Sequence, residues 1–467
     1  MQRTAVINVV GLTPSLIGEH TPHIKSFAAK NSLVNITPAF PAVTCTAQSN
    51  YVTGTTPSQH GIVGNGWFNR ELAEVQFWKQ SNHLVHGKKI WDVLRERDPK
   101  FTCAKLFWWY NMYSTADYSV TPRPMYPADG RKVFDIYTWP FSIREDIKRD
   151  LGEFPFPTFW GPPAGVDTPQ GKADAVSHWI AASAKWIENK YAPTLSLIYL
   201  PHLDYNLQRF GPSDPRISKD LKQIDAIAGD LISFFEKQSV QVILLSEYGI
   251  VDVDTPVHLN RLFRNQGWLT VKDELGLEML DAGASKVFAV ADHQVAHIYI
   301  NDQSLRSKVR SFLEKHDPID SVLDEKEKVA AGIAHPRAGD LIAVAKERAW
   351  FTYYYWQDDT RAPDFARCVD IHRKPGYDPV ELFLDPKIPA VKLKILWRLL
   401  QKRLGFRMLM DVVPLDASLV KGSHGRNNRT IHNPVFISRN IGKAPPIPST
   451  DVCEVIKNLI TPSVESL

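Results

Sequence analysis

Cysteine is scarce in this 467-residue chain: Cys45, Cys103, Cys368 and Cys453 stand far apart. No C-x-x-C pair occurs, which excludes a zinc knuckle or dithiol redox motif of that kind. Long apolar runs are missing too. No stretch of about 18 apolar residues is present to span a bilayer. There is no internal repeat and no low-complexity tract. Charge of one sign is not in excess: the formal balance is +4, too small to indicate nucleic acid. The opening residues, MQRTAVINVVGL, lack a basic segment followed by a long apolar one, so no signal peptide is expected and a cytoplasmic location is.

What is present is an ordinary globular composition, 44% hydrophobic and 23% charged, long enough for a large core. Aromatic residues make up 11%, with 13 tryptophans, which points to sizeable aromatic surfaces in core or cleft. Short β-rich runs, AVINVVGL (5–12), LSLIYLP (195–201), VQVILLSEYG (240–249) and AHIYIND (296–302), alternate with helical patterns over 173–191 and 217–238. This alternation predicts an α/β fold with a mostly parallel central sheet flanked by helices on both faces. Sites in such sheets form at the carboxyl ends of strands. Two segments differ from the rest. Residues 101–163, rich in Trp, Tyr, Phe and Pro, read as a cap insertion or as an irregular surface region packed by its own aromatics. Residues 353–419 read as a second insertion, the remainder forming one domain over 1–467. Within it, KLKILWRLLQKRLGFRMLM (392–410) is a basic amphipathic helix, packed on the body or lying on a membrane surface.

The segment PAVTCTAQSNYVTGTTPSQHGIVGN (41–65) carries a hydroxyl, Thr44, and an amide, Asn65, within a TG-x-x-P-x-x-HGI-x-x-N string. It resembles the alkaline phosphatase superfamily, in its nucleotide pyrophosphatase/phosphodiesterase and phosphonoacetate hydrolase branch. The resemblance implies an alkaline phosphatase-like fold, Thr44 as nucleophile and Asn65 holding a phosphoryl oxygen. It also implies a divalent metal cofactor, zinc, as one or two ions. Carried over residue by residue, it gives Asp204 in HLDYNLQRFGP (202–212), Glu247 in SEYG and His424 in KGSHGRNN (421–428) as metal ligands. Three further positions depart from the pattern. Val10 stands where the first strand should end in Asp, Gln208 where a His is expected, and Tyr248 where another His is expected. An amide oxygen is a far weaker zinc ligand than imidazole.

Other residues are candidates for compensation. CVDIHRKPGYDPVELF (368–383) holds Asp370 and His372 two apart, a spacing that points both one way from an extended strand, with Arg373 or Lys374 as a phosphate-binding cation. The same stretch reads equally as a turn-rich surface loop. His202 is a candidate second layer behind Asp204. His293 and His60 read as structural, and Cys45 as a small buried residue. The expected function is a metal-dependent hydrolase of phosphate esters, phosphodiesters or pyrophosphates acting on a small phosphate-containing molecule. The alternatives are a non-hydrolytic relative binding a phosphorylated or anionic metabolite, and an enzyme with a rebuilt mononuclear site. The oligomeric state stays open.

Overall fold

A computed structural model of the chain describes residues 1–169, 171–371, 374–427, 430–439, 441 and 445–462. Among these, nine strands form one sheet in the order Ile447–Pro448, Ser32–Thr37, Val435–Ser438, Gln241–Leu245, Thr4–Val9, Leu195–Leu200, Cys103–Leu106, Tyr118–Pro122, Ile136–Trp139. Thr4–Val9 lies at the centre, parallel to both Leu195–Leu200 and Gln241–Leu245. All six of its residues are buried, as a strand covered on both faces requires. Side chains alternate across it. Ala5, Ile7 and Val9 pack with Ile24, Ile180 and Ile224, from helices Pro22–Lys30, Ala175–Tyr191 and Ile217–Lys237. Val6 faces the other way, toward Tyr51, Trp91 and Ile456 of helices Thr44–Thr53, Ile90–Arg97 and Val452–Ile460. The sheet is mostly parallel, with antiparallel pairings at Val435–Ser438 and Ile136–Trp139.

Two expectations need correction. The run at 296–302 does not join the parallel sheet. Val295–Ile300 pairs antiparallel with Val287–Asp292 and Leu341–Ala345 in a second, four-stranded sheet that also holds Ile319–Leu323. Asp292 pairs with Val295, so only His293 and Gln294 form the turn, and His293 takes a left-handed φ of 58°. A tight turn of this kind forces its strands antiparallel, yet the sequence offers none of the usual Gly or Asn to announce it. Segment 101–163 is also more than a cap: Cys103–Leu106, Tyr118–Pro122 and Ile136–Trp139 belong to the central sheet. Its aromatic density had obscured these short strands. No helix among the described residues is long and apolar enough to cross a membrane.

Candidate functional site

One pocket opens at the carboxyl ends of the central strands. Thr44, Asn65, Asp204, Gln208, Tyr248 and His424 all line it. Thr44 is the first residue of helix Thr44–Thr53, so its hydroxyl stands at the positive end of the helix dipole. Asp204 lies in the first turn of helix His202–Phe210, just after strand Leu195–Leu200, and Gln208 follows one turn later on the same face. Tyr248 follows strand Gln241–Leu245.

The polar groups form a chain. Thr44 Oγ1 is 3.1 Å from Tyr248 Oη, and Tyr248 Oη donates to Asp204 Oδ1 at 3.1 Å. Gln208 Nε2 donates to Asp204 Oδ2 at 2.7 Å. Glu247 does not line the pocket. It lies beneath, where Asn8 Nδ2 from the central strand and Gln48 Nε2 from the Thr44 helix both donate to its Oε1 at 2.5 Å. His424 Nδ1 donates to the Ala42 carbonyl at 2.8 Å, leaving Nε2 as the lone-pair nitrogen. Its ring stacks on Tyr248 at 3.8 Å between centroids, with His293 at 3.9 Å. Asn65 is already engaged at both ends. Its Oδ1 accepts from Cys45 N–H at 3.0 Å, and its Nδ2 donates to Asp292 Oδ1 at 3.0 Å and to Tyr377 Oη at 3.3 Å.

Burial disfavours the charged form of each of these groups. It raises Asp204 and Asp292 to about 7 and Glu247 to about 8, with their hydrogen-bond donors opposing. It lowers His424 to about 3 and His293 well below its ordinary value. Among the described residues, no Lys or Arg lines the pocket. The rest of the wall is aromatic. Trp109, Phe159 and Trp160 come from segment 101–163, Tyr377 from segment 353–419, and Trp78 from neither. Trp78 Nε1, Trp109 Nε1, Tyr205 Oη and Gln208 Oε1 are buried without a hydrogen-bond partner among the described residues, as expected of groups waiting for a ligand.

These contacts decide the fit of a metal. No three His, Cys, Asp or Glu side chains among the described residues are grouped to hold one. Asp204 has both oxygens taken by neutral donors, and Val10 sits in apolar core. As arranged, Asp204, Glu247 and His424 do not fit a divalent ion. Of the residues expected to compensate, Asp370 and Lys374 are described. Asp370 is not among the described lining residues; it bonds to Tyr126 Oη at 3.1 Å and Lys132 Nζ at 3.3 Å. Lys374 is fully buried against Glu381 at 2.7 Å, so its charge is spent internally. His372 and Arg373 lie outside the described residues. His202 is not behind Asp204: its Nε2 lies 3.3 Å from Asp220, and burial lowers it to about 4. His60 is structural, accepting from Ile62 N–H at 3.0 Å, and Cys45 is buried in the core beside the second sheet.

Sequence reasoning missed Asp292, Tyr377 and the two unpartnered indoles, Trp78 and Trp109. Asp292 and His293 reach the site only because of the unannounced hairpin turn. For Tyr377 the KPGYDP turn was visible, but nothing local said where it would point.

Comparison with known proteins places this geometry in a family. The chain is 28% identical over 254 residues to an uncharacterised pyrophosphatase/phosphodiesterase of Schizosaccharomyces pombe, covering 52% of this chain and 42% of that protein. It is 26% identical over 276 residues to ectonucleotide pyrophosphatase/phosphodiesterase 2 of Saccharomyces cerevisiae, covering 54% and 48%. The matched region thus spans less than half the length of these relatives. Among solved structures, it superposes on an inactive threonine-to-alanine variant of murine ectonucleotide pyrophosphatase/phosphodiesterase 5 in complex with AMP (TM-score 0.58, 15% identity, 98% of this chain and 95% of that one). It also superposes on phosphonoacetate hydrolase from Sinorhizobium meliloti with phosphonoformate (TM-score 0.60, 13% identity, 99% and 96%). These two show a shared fold. The model of the type I phosphodiesterase/nucleotide pyrophosphatase family matches residues 4–378, and the chain belongs to that family.

Proposed function

We propose that the chain cleaves a phosphate ester, phosphodiester or pyrophosphate bond of a small molecule, with Thr44 Oγ1 as nucleophile. The observation that carries this reading is the Thr44–Tyr248–Asp204 hydrogen-bond chain at the positive end of helix Thr44–Thr53. A helix N-terminus favours a phosphoryl group. Thr44 Oγ1 would form the new bond to phosphorus as the leaving oxygen departs. Its proton would pass to Tyr248 Oη, whose own proton moves to Asp204. Water would then cleave the phospho-threonine and restore the hydroxyl. The Trp78 and Trp109 indole N–H groups are neutral donors available to phosphoryl oxygens. The family resemblance implies zinc, but no group of three His, Cys, Asp or Glu among the described residues is arranged to hold it, so no step here runs through a metal.

A second reading is favoured by the same neutral donors: a member that binds a phosphate-bearing metabolite without turning it over. Amides and a phenol hold the carboxylates, and among the described residues no cation lines the pocket to match phosphoryl charge. One experiment separates the two. Aryl phosphomonoesters, aryl phosphodiesters and AMP are offered to wild type, Thr44→Ala and Tyr248→Phe, with and without zinc, alongside bound-metal analysis. Thr44→Ala should lose turnover by at least about a thousandfold while stability moves by no more than about 1 kcal/mol. Turnover that survives Thr44→Ala sinks the nucleophile assignment. Saturable AMP binding without turnover selects the second reading. Stoichiometric metal required for turnover overturns the metal-independent route.

A further inference from the structure

Helix Val391–Arg403 contains no buried residue. A 13-residue helix of this kind is marginal in water unless a face is covered. What ties it to the body is polar: Lys394 and Arg398 pair with Asp411 at 2.8 and 3.1 Å, and Arg407 just beyond donates to the Asp129 carbonyl at 3.1 Å. The opposite face is apolar and exposed. Leu393, Leu396, Trp397, Leu400 and Leu404 recur at three-to-four spacing, with Leu393 67%, Trp397 57% and Leu404 62% exposed. Phe406 beyond the helix extends the patch at 67% exposure. From 387 to 410 the chain carries seven Lys or Arg and no acid.

We propose that this face docks on an anionic phospholipid bilayer, the helix lying in the interface plane without crossing it. An apolar stripe with Trp at its middle and basic residues around it matches the headgroup boundary of an acidic leaflet. Lys392 and Arg403, both exposed, would meet lipid phosphates while the stripe enters to about 5–10 Å. A second copy of the chain is a poorer occupant, because two-fold pairing of this face sets two clusters of like charge together. The surface is distinct from the pocket, so the inference stands whatever the pocket catalyses.

The test is co-sedimentation of the full chain with vesicles of phosphatidylcholine alone and of phosphatidylcholine with phosphatidylserine. Uptake is expected with the acidic vesicles, weakening as salt rises. Lys392→Glu/Arg403→Glu and Leu396→Ser/Trp397→Ser should each reduce it by at least about tenfold, with the thermal midpoint unchanged because these positions are exposed. In vesicles of brominated lipid, tryptophan quenching should be smaller in Trp397→Phe than in wild type. No uptake by acidic vesicles at low salt, or uptake by both double variants equal to that of wild type, overturns the proposal. So does a dimer in sedimentation equilibrium that Leu396→Ser/Trp397→Ser dissolves while vesicles take up nothing.

Discussion

Glu247 is a buried acid held by the Asn8 and Gln48 amides and the Thr44 hydroxyl, where a cation would ordinarily be expected. Folded, it keeps its proton to about pH 8, whereas the unfolded chain releases one near 4.5. Its contribution to stability is therefore complete below pH 4.5 and is lost as pH rises through 8. Glu247→Gln has no proton to lose and keeps an oxygen for both amide donors. Its stability relative to wild type should climb between about pH 5 and pH 9 by up to ~4 kcal/mol. Urea midpoints across that range measure it, and a difference that stays flat means the carboxyl does not titrate as placed. At this scale the sequence was readable where side chains follow strands in a fixed order. Thr44, Asn65, Asp204 and His424, which the family resemblance implies motif by motif, line one pocket. It was silent on how those groups are occupied. That Tyr248 bridges Thr44 to Asp204, or that Asn65 is held by Asp292 and Tyr377, depends on through-space neighbours hundreds of residues away.

Among elements, the segment around 374–382 is pinned by a buried pair. Lys374 Nζ meets Glu381 Oε1 at 2.7 Å, and Trp160 Nε1 donates to Glu381 Oε2 at 3.2 Å, so the pair joins this segment to the aromatic wall. Removing one partner strands a buried charge, whereas replacing both with apolar groups can be nearly neutral. Lys374→Met should cost about 3–5 kcal/mol, less if Glu381 protonates, and Lys374→Met/Glu381→Met should recover most of it. A double variant as unstable as the single one, by urea unfolding, would show that packing rather than charge is at stake. Long periodic elements were legible beforehand: the expected helix over 217–238 is Ile217–Lys237, and that over 173–191 is Ala175–Tyr191. Four- and five-residue strands such as Cys103–Leu106 and Tyr118–Pro122 were not, because so short an apolar run carries no period that separates strand from aromatic loop.

For the whole molecule, stability should be graded from the central sheet outward. Amides of Thr4–Val9 and Leu195–Leu200, buried at every position, should exchange with solvent only on global unfolding. Those of Val391–Arg403, with no buried residue, should exchange orders of magnitude faster and slow when acidic vesicles are added. Hydrogen-exchange mass spectrometry reads both, and equal protection of the two regions would contradict the gradation. The doubly covered sheet was legible as an architecture; the second sheet was not, since it hangs on one two-residue turn.

The central place of Thr4–Val9 also has a consequence in time. Its two sheet neighbours, Leu195–Leu200 and Gln241–Leu245, are made much later. At roughly 5–20 residues per second, about ten to fifty seconds of synthesis separate this strand from its second partner. Throughout that interval a strand buried at every position of the finished fold has no ladder to join. The nascent chain must therefore shelter it in transient contacts or a chaperone, and a pause in translation before residue 245 would lengthen its exposure to aggregation.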